Sequence, residues 1–134
     1  MTILVPNTGE VIALQYLTNK VATPENLVYN LFATNVTPAE TDTAASYTAA
    51  AGGGYVAKTL TGANWTITGG APSSAAYAAQ QWVFTGALTT NATIYGYYVT
   101  RATSLDLVFA ETFATFTPAN NGDTITLTPT ITAD

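Results

Sequence analysis

Residues 124–132, Thr124-Ile125-Thr126-Leu127-Thr128-Pro129-Thr130-Ile131-Thr132, alternate threonine with an apolar residue at every step. Because successive side chains of a β-strand point to opposite faces, this period of two predicts a strand with its apolar side turned inward and its threonines in solvent. The turn residues Asn121-Gly122-Asp123 precede it. Pro129 has no N–H to donate to a neighbouring strand, so the second half of this strand is predicted to lie at a sheet edge.

Further stretches with strand signals occur upstream and are separated by turn-rich segments. The predicted strands are residues 26–32, 55–60, 64–68, 80–84, 93–101 and 105–113. Between the second and third of these, Thr61-Gly62-Ala63 is predicted to be a hairpin turn. The pattern predicts an all-β fold, a β-sandwich or jelly-roll-like arrangement of about seven to eight strands. The length of 134 residues predicts a single domain over residues 1–134.

The N-terminal segment, residues 1–25, allows two interpretations. Asn7 or Thr8 could cap a short helix, on which Val11, Leu14, Gln15 and Thr18 would share one face and Ile12 and Leu17 would lie off it. A strand over residues 11–17 fits the same residues nearly as well.

Residues 34–54 are predicted to form a long loop rich in threonine, alanine and glycine. Long loops inside compact domains are usually functional or mobile. This one is interpreted either as an ordinary connection between sheets or as an arm that reaches a neighbouring subunit. Glu40 and Asp42 lie within it and are candidate interface residues in the second case.

Composition restricts the chemistry of the chain. It contains no histidine and no cysteine, and its three basic residues are Lys20, Lys58 and Arg101. Without imidazole or thiol groups the usual catalytic triads and zinc sites are excluded, so no catalytic residue, metal ligand or cofactor is predicted. The net charge of −5 and the scattered cations argue against nucleic acid as a partner. The chain is predicted not to be an enzyme.

Two chemical alternatives depend on carboxylates. A glycosidase needs two carboxylates in one cleft, and no spacing in this chain brings a pair together. Asn120, Asn121 and Asp123 carry the oxygen ligands that Ca²⁺ prefers, but a hairpin turn explains the same residues. Elsewhere, Arg101 and Asp106 are predicted to form an ion pair across the turn at residues 102–104.

Localisation signals are sparse. The N-terminus lacks the basic and apolar regions of a signal peptide, and no run approaches the roughly 20 apolar residues of a membrane span. Synthesis in the cytoplasm and no membrane partner are therefore predicted. A charged fraction of 8% is low and suits a protein packed against neighbours, although a stable independent domain would also explain it.

Aromatic residues and one carboxylate are the candidates for an interface. Tyr95, Tyr97 and Tyr98 lie in one predicted strand, so at least one of them must point outward. Trp65 is a further candidate, whereas Trp82 is assigned to the core.

Glu111 shares the face of its strand that otherwise is apolar, formed by Leu105, Leu107, Phe109 and Phe113. Two interpretations follow. Either the core ends at this point and Glu111 reaches solvent, or Glu111 is a polar anchor at a subunit contact.

Six short groups of residues, which follow one another along most of the chain, carry a resemblance to known proteins. They are Val5-Pro6-Asn7-Thr8-Gly9-Glu10, Val56-Ala57-Lys58-Thr59-Leu60 with Asn64-Trp65, Ala79-Gln80-Gln81-Trp82-Val83-Phe84, Ile94-Tyr95-Gly96-Tyr97-Tyr98-Val99, Leu107-Val108-Phe109-Ala110-Glu111-Thr112-Phe113 and Asn121-Gly122-Asp123-Thr124. Together they resemble a group of small structural proteins of tailed bacteriophages. In that group the segment after Gly-Glu tends to be helical, which favours the helix over residues 10–18.

The resemblance implies a non-catalytic component of the virion. The leading expectation is a capsid decoration (cement) protein on the outer surface of the capsid, bound to the major capsid protein and, by analogy and symmetric closure, a homotrimer. The alternative is a tail or head-fibre component in which exposed tryptophan and tyrosine bind receptor glycans.

Overall fold

The computed structural model describes residues 3–20 and 23–133. Within them, eleven strands in antiparallel sheets follow one helix, so the all-β prediction is confirmed. The helix α1 is Asn7–Leu17. The strands are β1 Leu27–Phe32, β2 Ala51–Gly52, β3 Lys58–Leu60, β4 Thr66–Thr68, β5 Ser73–Ala76, β6 Gln80–Val83, β7 Leu88–Thr90, β8 Ile94–Arg101, β9 Leu107–Phe116, β10 Thr124–Leu127 and β11 Thr130–Ala133.

The largest sheet has the strand order β3-β1-β8-β9. Its two longest strands, β8 and β9, form the predicted antiparallel pair, with Tyr97 opposite Glu111. On the other side of β8, β1 pairs from Leu27 opposite Arg101 to Phe32 opposite Gly96. These strands are rich in tyrosine, phenylalanine and valine, which fit a pleated surface that is covered on both faces.

A second layer lies across the core from this sheet and consists of shorter pieces, β10-β6 and β11-β5-β4. Tyr29 of β1 joins the layers, because its ring contacts Trp82 of β6 edge-on at 5.4 Å and Tyr97 of β8 at 4.8 Å. Trp82 is buried as predicted, and its indole N–H donates to the Val56 carbonyl at 2.9 Å. The arrangement is sandwich-like, while the strand orders do not establish a jelly roll.

The alternating segment 124–132 has the burial that its sequence predicts, with the apolar positions buried or half-buried and every threonine exposed. It is not one strand, however. It divides at Thr128-Pro129 into β10, which pairs with β6, and β11, which pairs with β5. Because Pro129 cannot continue a ladder, the chain changes partner at this point.

The predicted hairpin around residues 61–63 is wrong. A short 3-10 turn, Gly62–Asn64, redirects the chain, so β3 pairs with β1 and β4 pairs with β5. The strand count exceeds the seven to eight expected. The additional short strands β2, β5 and β7 lie in segments rich in alanine, glycine and threonine, where no apolar alternation marks them.

Residues 34–50 cover the outer face of the large sheet. Tyr47 stacks on Tyr98 at 5.1 Å and contacts Phe32 at 5.0 Å between ring centroids. Backbone hydrogen bonds from the Ala33 N–H to the Thr48 carbonyl and from the Ala50 N–H to the Leu31 carbonyl attach the far end of this segment to the end of β1. The segment predicted as a long loop therefore packs on the sheet of its own chain, as a connection between sheets would.

The N-terminal helix is present and begins at Asn7, three residues before the predicted range. Before it, Leu4 forms a two-way backbone bridge with Ala110 of β9. Gly9 is required where α1 meets β9, since a Cβ there would overlap the Val108 carbonyl. The inward face of α1 carries Gly9 and Ile12, so the face predicted from Val11 and Leu14 is turned outward.

In the described part of the chain, no helix has the length and apolar character needed to cross a membrane.

We expect Gly96→Ala to destabilise the fold strongly. A Cβ at Gly96 would overlap the Glu111 carbonyl and lie 2.6 Å from the Phe32 ring, so β8 and β9 would have to separate. The expected loss is about 3 kcal/mol in the free energy of unfolding, measured by urea denaturation. Gly62→Ala is the control, because a Cβ at Gly62 meets no atom within 4 Å. Equal stability of the two variants would contradict this view of the β8–β9 contact.

Candidate functional site

The predicted interface residues are not gathered at one place. Tyr97 points into the core, whereas Tyr98 is buried on the opposite face beneath Tyr47. Tyr95 lies on that same outer face and is half-buried, beside the 34–50 segment. The outward tyrosines expected from the sequence are therefore largely covered by the chain itself.

Asp42 and Glu40 differ in their surroundings. The Asp42 carboxylate accepts hydrogen bonds from the Tyr47 hydroxyl at 2.7 Å and the Ala39 N–H at 2.9 Å. Burial, together with this bond to Asp42, raises the pKa of Tyr47. Glu40 is exposed, and its backbone carbonyl accepts from the Asn7 N–H at 3.0 Å. Asp42 thus holds the covering segment in place, and Glu40 lies at the surface beside the start of α1.

Trp65 lies in a groove between α1 and the end of the sandwich. The groove has a volume of about 370 Å³, and its walls are mainly apolar, with Ile12 and Tyr16 from the helix opposite Leu60 and Trp65. Trp65 is half-buried and packs edge-on against Tyr77 at 5.3 Å. Its position is set by that contact.

Tyr77 is itself held by two donors, Asn64 Nδ2 and the Thr61 N–H, each 3.2 Å from its hydroxyl oxygen. These hydrogen bonds, the one from Asn64 first, lower the pKa of Tyr77. The turn between β3 and β4 therefore fixes the tyrosine on which Trp65 rests.

An ion cluster borders the groove. The predicted Arg101–Asp106 pair is present at 3.5 Å, and Arg101 also contacts Glu25 at 2.6 Å. Glu25 in turn accepts from the Thr103 and Ser104 N–H groups at 2.6 and 2.9 Å. These backbone bonds and the positive charge of Arg101 lower the pKa of Glu25. No sequence signal marked Glu25 as a member of this cluster. Glu25 lies just before β1, and the pairing of β1 with β8 brings it beside Arg101.

The outward face of α1 is apolar and exposed. Val11, Leu14 and Leu17, spaced three residues apart, are 53, 60 and 83% exposed. At 100° per residue they occupy one stripe, on the side of the helix away from Gly9. We call these three residues the α1 stripe. The sequence analysis placed Val11 and Leu14 together but separated Leu17 from them.

Glu111 does not reach solvent, so that interpretation is wrong. The residue is 6% exposed, and its Oε2 accepts a hydrogen bond from the Tyr97 hydroxyl directly across the β8–β9 ladder. The core therefore continues past Glu111, which lines a cavity of about 440 Å³ together with Ile131 of the second layer. A register shift between Val99 and Thr100 turns Leu107 to the outer face, which breaks the predicted apolar face.

Asp123 organises the turn before β10. Its Oδ2 accepts from the Ala119 and Asn120 N–H groups, both at 2.8 Å, and these bonds lower the pKa of Asp123. The hairpin-turn interpretation of Asn120, Asn121 and Asp123 therefore accounts for the carboxylate. Among residues 3–20 and 23–133, no three acidic side chains are grouped in a way that could hold a metal ion.

Comparison with known proteins gives no relative. No family model, no curated protein and no solved structure matches this chain.

Glu25→Gln is expected to make stability less dependent on pH in the acid range. Since the folded-state pKa of Glu25 lies below its ordinary value of 4.5, its carboxylate stabilises the fold above pH 4.5, and this stabilisation is lost as the pH falls through the folded-state pKa. Urea denaturation should find the variant less stable than the parent at pH 7, with the difference shrinking below pH 4.5.

The control is Glu40→Gln, because Glu40 is exposed and its carboxylate accepts no hydrogen bond from the described residues. A gap between parent and Glu25→Gln that is the same at pH 7 and at pH 3 would contradict a stabilising charge on Glu25.

Proposed function

We propose that this chain is a capsid decoration (cement) protein of a tailed bacteriophage, which binds the major capsid protein on the outer surface of the shell. The observation that carries the proposal is the α1 stripe. Leu14 and Leu17 expose large apolar side chains on an ordered helix whose other face is already packed. Such a stripe supports a protein partner, because burying a leucine contributes about 1.5–3 kcal/mol.

The use of the carboxylates supports a structural protein over an enzyme. Glu25, Asp42 and Asp123 each accept backbone N–H groups and hold loops in place. The oxygens of such a carboxylate are occupied by backbone hydrogen bonds, whereas a general acid or base needs an open position beside a substrate. The resemblance to phage structural proteins points in the same direction.

The action of a cement protein is mechanical. Each folded copy that binds the shell stabilises it by mass action, and icosahedral repetition multiplies one modest contact over many sites. A net charge of −5 suits the outer surface and opposes contact with packaged DNA. We propose a homotrimer as the binding unit, which sedimentation of the purified protein tests directly.

A second candidate function is a tail or head-fibre component that binds receptor glycans. It is favoured by the groove beside α1, where Trp65 and Tyr16 line an open space bordered by the Arg101–Glu25 pair. Aromatic walls with charged groups at the rim suit a sugar ring. Against it, Trp65 is already packed edge-on against Tyr77.

We expect the double variant Leu14→Ser/Leu17→Ser to bind capsid shells at least about tenfold more weakly than the parent chain, since the two leucines lose their burial against the partner. The measurement is co-sedimentation with shells of the major capsid protein from the same phage. Ile67→Ser is the matched control, because Ile67 is an apolar residue of β4 that is 72% exposed and lies outside α1. Equal binding by both variants would remove the α1 stripe from the interface.

Copy number separates the two candidate functions. Quantitative mass spectrometry of purified virions should find this chain in amounts comparable with the major capsid protein. A dozen or so copies per particle would instead favour the tail or fibre component, and absence from the particle would overturn both.

A further inference from the structure

Glu111 is a buried carboxylate without a cationic partner among the described residues. Each of the three basic side chains lies elsewhere. Arg101 pairs with Glu25 and Asp106, the Lys58 ammonium lies 5.9 Å from the centre of the Trp82 ring, and Lys20 is exposed after the end of α1. Burying an uncompensated carboxylate is costly, so its retention in the core needs a physical reason.

The cavity at Glu111 has two kinds of wall. Threonine residues form one side, and they belong to the exposed row of the alternating segment, so this side reaches the surface. Apolar side chains form the other. The lining consists of Thr128, Thr130 and Thr132 on the polar side, Ile3, Val5 and Ile131 on the apolar side, and Tyr97 with Glu111.

The Tyr97 hydroxyl completes the polar end of the cavity, and Tyr29 lies behind it in the core. The Tyr97 hydroxyl donates a hydrogen bond to Glu111 Oε2, and the tyrosine oxygen can still accept one. Tyr29 packs edge-on against Tyr97 and is fully buried, and its hydroxyl has no hydrogen-bond partner among the described residues. Burial and the nearby charge of Glu111 raise the pKa of Tyr29, so its hydroxyl stays protonated.

We propose that this cavity binds a primary ammonium group, the end of a lysine side chain supplied by a partner protein. The ammonium would contact the Glu111 carboxylate and the Tyr97 oxygen, and the methylene stem would lie along Ile3, Val5 and Ile131. A lysine side chain matches both the polar end and the apolar wall of the cavity, since its stem is apolar and its head is charged. The cavity volume of about 440 Å³ is ample for that side chain.

Other cations fit this site less well. Ca²⁺ takes six to eight oxygen ligands, and one carboxylate with hydroxyl groups is too few. A guanidinium pairs best with both oxygens of a carboxylate, but Glu111 Oε2 is occupied by Tyr97. An ammonium carries three N–H donors on one atom and can be satisfied by one carboxylate oxygen together with neutral hydroxyl oxygens.

The ammonium site does not depend on the function proposed above. Only the identity of its natural occupant, a lysine of the major capsid protein, rests on that proposal. A chain that fails to bind capsid shells would still bind a small amine, so the two ideas can fail separately.

The test is an NMR titration of the protein with n-butylammonium chloride, which carries the head and stem of lysine, and with n-butanol as the neutral analogue. We expect saturable shifts centred on the Glu111 and Ile131 amides, with a dissociation constant of about 1 mM, as befits a ligand of five heavy atoms. The n-butanol should bind at least about tenfold more weakly, because it lacks the charge.

Three variants complete the experiment. Glu111→Gln should weaken n-butylammonium binding at least about tenfold, Tyr97→Phe should weaken it less, and Glu10→Gln on the exposed side of α1 should leave it unchanged. Thermal unfolding of each variant verifies that the fold is retained. If Glu111→Gln does not fold, the result for Tyr97→Phe and the comparison with n-butanol still decide whether the cavity binds an ammonium group.

Several outcomes would overturn the proposal. Equal affinity for n-butanol and n-butylammonium would mean that the cavity selects only apolar chains. Unchanged binding by a folded Glu111→Gln variant would place the amine elsewhere. Absence of saturable binding would mean that the cavity does not recognise an ammonium group.

Discussion

The contact of Tyr29 with both layers is the interaction on which the remaining structure depends. Its ring meets Tyr97 within the large sheet and Trp82 in the opposite layer, and it is completely buried. No disulfide links the layers, since the chain contains no cysteine. Aromatic packing between short strands must therefore supply the stabilisation that a disulfide often supplies in a smaller domain. Among the residues that the structure describes, the Tyr29 hydroxyl has no hydrogen-bond partner, which is unfavourable for a buried polar group.

The local alternation of apolar and polar residues was sufficient to predict which side chains of a strand are buried. The alternation in residues 124–132 predicted correctly which side chain of each pair lies inside. It could not predict that Pro129 would divide the segment between two sheets, because the choice of partner strand depends on residues far away in the chain. The same limit explains the wrong hairpin between β3 and β4, whose true partners, β1 and β5, lie on either side of them in the chain.

In the candidate sites too, features that depend on neighbouring residues were predicted from the sequence, and features that depend on distant residues were not. The face on which Glu111 lies was identified from the sequence, but its burial was not, since that depends on the second layer, whose Ile131 lines the same cavity. Arg101 and Asp106 were paired because a short turn joins them, whereas Glu25 is brought to the same cluster through the β1–β8 ladder. The sequence placed Val11 and Leu14 on one helical face but did not predict that this face is exposed, because the orientation of the helix is set by the close approach of Gly9 to Val108.

The bridge between Leu4 and Ala110 bears on the solubility of the chain at high abundance. β9 is ten residues long and is the last strand of its sheet, and an open strand edge can recruit another molecule into an unwanted aggregate. Leu4 occupies both main-chain groups of Ala110, and α1 lies against the Val108 carbonyl. The first half of this edge is therefore blocked by residues from the start of the chain. A newly made chain acquires this protection as soon as its N-terminal segment docks, before any partner is present.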